Sequence, residues 1–588
     1  MKDFIKMFFA SCLGVMLGMV MLAFIIMTIA SALATSKSKL ETDGILVLDF
    51  KESITEKTGN IESTPFAPII NNIGLRDYSK VIQKAIEDNM IKGILIKNPE
   101  PSMGQASMYS IMDDLKDFKE SGKFIYAYAD YYGQGGYFCS SIADSIFLNP
   151  NGMIDIRGYA TMIPFFKEGL DRLGVKFDIF YAGDFKSATE PFRLTEMSEE
   201  NKLQTRAFLN EMLDIMLEEV ADNRDMKVED FHSILSDYKG STAESAMQVG
   251  IIDAISYWND IEIMLKEKVG VSADKKLKLT GFMDYKANVS LIDKGPSSKK
   301  IAIVYAEGNV GYGKHQKGSI TDREYIKIFS KIRRDDKIKA VVLRVNSGGG
   351  SALTSDIIWD EIEKTKSAGK PVIASFGDYA ASGGYYIAAG ADAIVSQPNT
   401  LTGSIGVFSM LPNVSKLFKN KFGITFDSVQ THDMAIGYSG VFDLSKKERA
   451  ILKSSTDRVY ETFLDRVASG RNMTKEEVHK IAQGRVWTGA KAQEIGLVDE
   501  LGDIDKAIEI AAEKVDLEKY KLIEYPFIKK DPFEEIINEL MKGMNDGEDA
   551  MITLSKQNKE LVDFVLKNKE VLETEGPQSR LLYKMKTN

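Results

Sequence analysis

Cysteine and histidine are scarce, two and four in 588 residues. No CxxC pair occurs, and His232, His315, His432 and His479 are far apart, with no HExxH spacing. This speaks against a structural zinc or a zinc-hydrolase site. No disulfide is expected, because Cys12 lies inside a long apolar run while Cys139 does not. Basic charge is also lacking: the net charge of −10 gives no electrostatic basis for binding nucleic acid. Nothing in the sequence asks for a cofactor. What remains is an ordinary globular composition, 44% hydrophobic and 27% charged, in a chain too long for one core.

Charge is missing altogether from Met7 to Ser36, a run preceded by Lys2 and Lys6. About 20 apolar residues suffice to cross a bilayer, so the segment is long enough for a tilted transmembrane helix. The rival is a cleaved signal peptide ending at Ala32-Leu33-Ala34. Its apolar region would span only about 7–15 residues, which this run exceeds. Residues 1–40 are therefore expected to be an uncleaved N-terminal anchor. Lys37 and Lys39 balance Lys2 and Lys6, so charge alone does not orient it.

The rest of the chain repeats itself. Ile91–Lys97 (IKGILIK) matches Ile338–Arg344 (IKAVVLR), and Tyr131–Tyr137 (YYGQGGY) matches Tyr379–Tyr385 (YAASGGY). Thr242–Asp253 (TAESAMQVGIID) mirrors Thr488–Asp499 (TGAKAQEIGLVD). Two copies of one domain follow, at 41–295 and 296–520, with a charged tail at 521–588 patterned as helix through Phe533, Ile536, Ile537 and Leu540. In the second copy Ile301–Tyr305, Ala340–Val345 and Val372–Ser375 read as buried strands, and Ser355–Lys366 as an intervening helix. Alternation of this kind means parallel strands and an α/β fold.

Two glycine-rich turns carry the candidate chemistry. Strand Ala340–Val345 runs into Asn346-Ser347-Gly348-Gly349-Gly350-Ser351, where successive backbone N–H groups can converge on a developing oxyanion. The next strand ends in Ala380-Ala381-Ser382-Gly383-Gly384-Tyr385, a serine at a helix start with small neighbours that admit a carbonyl. Such turns also bind phosphates or merely reverse the chain.

At these residues the chain resembles the signal peptide peptidase A (protease IV) family in its long, duplicated form. The resemblance is carried by Gly377–Tyr385 (GDYAASGGY), Leu401–Val407 (LTGSIGV) and Phe185–Phe192 (FKSATEPF), and runs from the anchor to about residue 510. It implies two tandem Clp-protease/crotonase-like repeats, with Ser382 as nucleophile and Lys186 as general base. Ser404 would orient the lysine, and Gly349 and the N–H of Gly383 would form the oxyanion hole. One departure is visible: the family commonly has Ser-Pro-Gly-Gly where this chain has Ser347-Gly348-Gly349-Gly350. The resemblance further implies cleavage of signal peptides and other membrane-proximal peptides by a homotetramer. That assembly would be held by one N-terminal helix in the cytoplasmic membrane, its body on the external side.

The repeat adds an argument of its own. Gln134 stands where Ser382 does, and Pro99-Glu100-Pro101-Ser102-Met103 replaces the glycine turn. Aligning Phe177-Asp178 with Phe426-Asp427 sets Ala435 opposite Lys186. Each copy has lost what the other keeps, as expected of one shared site. Lysine serves as a base only when neutral, and near pH 7–8 that requires destabilising its ammonium by roughly 4 kcal/mol, which burial supplies. Asp184 and Glu190 would oppose this, so their carboxylates are expected to face away. His432 reads as a loop residue. The alternatives are a crotonase-like acyl-CoA enzyme, which needs neither dyad nor anchor, and a catalytically silent membrane scaffold.

Overall fold

The computed structural model describes residues 44–60, 72–291, 297–313 and 317–528, and the backbone of 578–580. The apolar run Met7–Ser36 and the helical pattern at 533–540 lie outside the described residues. Among the described residues no helix is long and apolar enough to cross a membrane.

The first copy is built on a parallel sheet of β1 (Gly44–Leu48), β2 (Ile91–Lys97), β3 (Phe124–Gly133) and β4 (Ser145–Asp155). The strand order is β4-β3-β2-β1, with Ala254–Ile255 beyond β4 and Leu279–Gly281 beyond β1. The apolar run of β2 is buried on both faces, the pattern of a central parallel strand between helical layers. β3 leads directly into α1 (Gln134–Ser140).

The second copy repeats the plan. β6 (Lys300–Glu307), β7 (Ile338–Ser347) and β9 (Val372–Ala381) pair in parallel at its centre. Each is longer than the run expected from sequence, because the strands continue past the apolar core into the glycine turns. α3 (Ala352–Ser367) crosses from β7 to β9, its first turn capped by Ser351, whose hydroxyl accepts from Thr354 N–H. β9 leads through Ser382 into α4 (Gly383–Ala388). Lys521–Tyr525, just past the boundary expected at 520, pairs with β6 as an edge strand.

The two copies are sewn together rather than merely adjacent. β5 (Lys176–Ala182) of the first copy pairs antiparallel with β11 (Val407–Asn413) of the second along its whole length, Lys176 opposite Asn413 and Ala182 opposite Val407. The buried Arg344 guanidinium donates to the Glu56 carboxylate at 2.8 Å, across the copies. The Asp378 carboxylate accepts from Ser107 N–H and Ser107 Oγ–H, each at 3.0 Å, capping a first-copy helix from the second copy. The consequence for the site is direct: β5 ends at Ala182 opposite Val407, three residues after Ser404, and the chain after β5 holds Lys186.

Candidate active site

Ser382 sits at the junction of β9 and α4 with φ 58° and ψ −118°. A non-glycine residue held at positive φ is costly and is tolerated where the surroundings over-determine it. Here the Ser382 N–H donates to Gly403 O at 2.8 Å, and its carbonyl accepts from Tyr386 N–H at 2.9 Å. Gly403 ends β10 (Leu401–Gly403), which pairs with the last residues of β9. The side chain is buried.

Lys186 reaches this serine from the other copy. Its Nζ lies 2.8 Å from Ser382 Oγ, 3.0 Å from Ser404 Oγ and 3.0 Å from Ser404 O. The lysine is 1% exposed, and burial lowers its pKa to about 7. Carboxylates do not oppose this. Glu190 accepts from Ser198 N–H and Oγ–H and from Asn201 Nδ2, and Asp184 is exposed.

The loop holding Lys186 is clamped by residues that no sequence pattern singled out. Phe185 N–H donates to Gln483 O, Gly484 N–H to Ile405 O, and Ser404 N–H to Arg485 O. Gln204, on α2 (Glu199–Arg224), donates from Nε2 to Phe185 O and Ser187 Oγ while its Oε1 accepts from Val486 N–H. A Cβ at Gly484 would meet the backbone and Cβ of Lys186 at 2.7 Å, and its φ is +79°, so only glycine fits. Gln204 and Gly484 lie in segments whose sequence carries no periodic or motif signal, and only the packing reveals them.

The glycine turn lies beside the serine. Gly349 and Gly350 have φ of +98° and +154°, and a Cβ on Gly350 would sit 2.1 Å from Val310 O. Gly349–Ser351 forms the short strand β8. The Gly349 N–H donates to Ser347 Oγ at 3.1 Å, and Ser347 Oγ–H in turn donates to Gly308 O at 2.6 Å. Gly383 opens α4, so its N–H is among those without an acceptor inside the helix.

The corresponding place in the first copy is filled. Gln134 is buried, and its Oε1 accepts from Arg157 N–H at 3.2 Å and Gly158 N–H at 2.9 Å. Ala435 lies exposed in an irregular stretch, and His432 there meets Thr431 Oγ1. Among the described residues no group of His, Cys, Asp and Glu is placed to hold a metal ion.

Comparison with known proteins gives this arrangement its context. The model of peptidase family S49 matches residues 117–272 and 364–518, one stretch in each copy. Protease 4 of Haemophilus influenzae is 34% identical over 524 residues, covering 85% of this chain and 84% of its own. The chain belongs to peptidase family S49. It is a serine protease of the signal peptide peptidase A (protease IV) type, made of two S49 repeats in an α/β fold. Among other S49-type relatives, the chloroplastic serine protease SPPA of Arabidopsis thaliana is 30% identical over 87% of this chain and 74% of its own. A putative signal peptide peptidase SppA of Enterococcus faecium matches 40% of this chain and 69% of its own at 32% identity.

Proposed function

We propose that the protease works through a Ser382–Lys186 dyad shared by the two repeats. The observation that carries this reading is the buried Nζ 2.8 Å from Ser382 Oγ, with a pKa of about 7. A neutral amine has two N–H donors and one lone pair. Ser404 O and Oγ take the donors, which leaves the lone pair for the Ser382 hydroxyl proton. As Ser382 Oγ attacks the peptide carbonyl, its proton passes to Nζ, and the resulting ammonium protonates the departing amine. A water deprotonated by Lys186 then hydrolyses the acyl ester. The N–H groups of Gly383 and Gly349 would hold the oxyanion, which requires Gly349 to turn from Ser347 Oγ to the substrate.

The substrates are proposed to be peptides presented at a membrane, remnant signal peptides among them. The apolar run Met7–Ser36 supports a membrane anchor; placement in the cytoplasmic membrane with the body outside is proposed from the family resemblance alone. The Enterococcus relative's name points to the same substrate class. A homotetramer is proposed as the working assembly. Phe422, at the end of a helical turn, and Ile424, Phe426 and Val429 in the irregular stretch after it are exposed, an apolar surface that a neighbouring subunit would cover.

Labelling with a fluorophosphonate tests the dyad. Ser382 in the wild-type chain should be modified and peptide hydrolysis lost in step, with no labelling of Ser382→Ala. Undiminished labelling of that variant would place the nucleophile elsewhere.

A further inference from the structure

One buried side chain bonds to both halves of the site. Gln204, 1% exposed on α2 of the first copy, donates from Nε2 to Phe185 O at 3.0 Å and to Ser187 Oγ at 3.1 Å. These are the residues on either side of Lys186. Its Oε1 accepts at 3.1 Å from the N–H of Val486, 282 positions away in the second copy. The orientation of the amide is fixed, since a backbone carbonyl can only accept and a backbone N–H can only donate. Val486 opens β12 (Val486–Thr488), which pairs antiparallel with β10 and sets Val486 opposite Gly403. Gly403 O is the acceptor of the Ser382 N–H. A single amide thus spans from the lysine loop to the strands that hold the serine.

The helix behind this amide is docked on the same strands. One and two turns beyond Gln204, Phe208 and Met212 pack with Ala381, Leu401 and Val486, and Ala381 directly precedes Ser382. At the far end of β12 the Glu211 carboxylate accepts from Thr488 Oγ1–H at 2.7 Å. α2 is fixed against the serine's strands, and Gln204 passes that fixed position to the loop of Lys186. Displacing a reacting group by about 1 Å costs on the order of 100-fold in rate. A bond that sets the 2.8 Å reach of Nζ to Oγ therefore bears on catalysis without touching substrate.

We propose that Gln204 is a positioning residue, whose amide sets the reach of Lys186 to Ser382 by tying the lysine loop of one copy to the strands that support the serine in the other. The proposal rests on the dyad reading of the site. The amide is enclosed and spends its donors and acceptor within the protein, so the effect falls on kcat rather than on KM.

The test uses the full chain with Gln204→Met, which keeps the length of the side chain and removes all three bonds. Hydrolysis of a fluorogenic peptide should show kcat lowered about 10- to 100-fold and KM within about two-fold of wild type. The rate of fluorophosphonate labelling of Ser382 should fall by the same factor. In a Lys186→Ala background the substitution should cost nothing further, because the group it positions is gone. Gln204→Glu is isosteric and guards against misfolding of the methionine variant. At alkaline pH its ionised carboxylate still accepts from Val486 N–H but cannot donate to Phe185 O, and it should reproduce both results. Unchanged kcat in either folded variant, with only a lower unfolding temperature, would reduce Gln204 to a structural residue and overturn the proposal. The same fold-loss in the Lys186→Ala background, or a loss confined to KM, would overturn it as well. If Lys186→Ala itself failed to slow labelling, or wild-type Ser382 were not labelled, the dyad reading would fall instead.

Discussion

The two repeats pass from strand to helix at equivalent places, and the junctions differ in a way that separates a plugged junction from the proposed reactive centre. In the first copy the residue before the helix is Gly133 at φ −70°, and Gln134 tucks its amide oxygen onto two backbone N–H groups. In the second copy Ser382, the equivalent of Gln134, precedes the helix at φ 58°, where Gln134 has no positive φ, and the serine N–H donates to the carbonyl of Gly403. One copy has relaxed and plugged its junction, whereas the other keeps a strained residue whose hydroxyl faces an amine. The copies also divide labour in their arms. The first sends β5 into the second copy's strand β11 and delivers Lys186 beyond it. The second copy's counterpart, around Ala435, stays irregular and exposed. On the proposed shared site, a fused pair of copies needs only one of the two groups from each half, because the other half is always attached.

The largest expected effect comes from removing either partner. Ser382→Ala and Lys186→Ala should each lower kcat by about 10⁴-fold or more, and the double variant should be hardly worse, since groups acting as one unit are not additive. Peptide kinetics on the three variants decide this. Ser382→Ala should leave the thermal stability nearly unchanged, because alanine keeps the backbone conformation and Nζ retains both Ser404 acceptors.

The seam between copies should be nearly as sensitive in stability as the dyad is in activity. Glu56→Ala leaves the Arg344 guanidinium buried without its carboxylate and should cost about 3–5 kcal/mol, measured by urea denaturation. If the copies were merely adjacent, the cost would be far smaller and the first copy would unfold separately.

The pH dependence sharpens the comparison at the amine. Lys186 has its pKa lowered to about 7 in the folded chain, against about 10.4 when unfolded. In the proposed mechanism the active form is the neutral one, so kcat/KM should rise with pH through about 7 and level off above it. The stability sign follows from the same values. Between about 7 and 10.4 the unfolded chain binds the proton that the folded chain does not, so this group makes stability increase with pH across that window. Lys186→Met should flatten that slope in a stability-versus-pH series.

Smaller effects are expected at the supporting positions. Ser404→Ala removes one acceptor of the amine and should lower kcat about 10- to 100-fold, consistent with the loss of a hydrogen bond to a charged or polar partner. Gln134→Ser in the first copy should create no activity, because Lys186 lies against Ser382 of the other copy, Ala435 stands where a second lysine would, and no glycine turn is present at the junction. Its cost is the loss of the amide oxygen's two bonds, about 1–3 kcal/mol in stability.

Much of the fold is legible in the sequence alone through the repeat, and the proposed pair of Ser382 and Lys186 is legible through the family resemblance, to which the repeat adds its own argument. Buried parallel strands such as β2 and β7 are continuous apolar runs, and internal matching sets Gln134 opposite Ser382 and Ala435 opposite Lys186 without geometry. What pattern does not carry is contact between segments distant in sequence. The clamp of Gln204 and Gly484 around the lysine loop, the Arg344–Glu56 pair and the antiparallel union of β5 with β11 join residues up to 288 positions apart. The tail is equally opaque. Its charge and helical spacing give no sign that Gln578–Arg580 pairs with the glycine turn, since three residues without alternation leave no strand signature.

The central claim is that one site is assembled from two repeats of the same chain. Subunits carrying Ser382→Ala and subunits carrying Lys186→Ala, differently tagged, co-expressed and purified through both tags, test it most directly. The account predicts that the mixed assemblies hydrolyse peptide no faster than either variant alone, because no chain holds both groups. Recovery of a substantial fraction of wild-type activity would show that lysine and serine meet between neighbouring chains, and would contradict it.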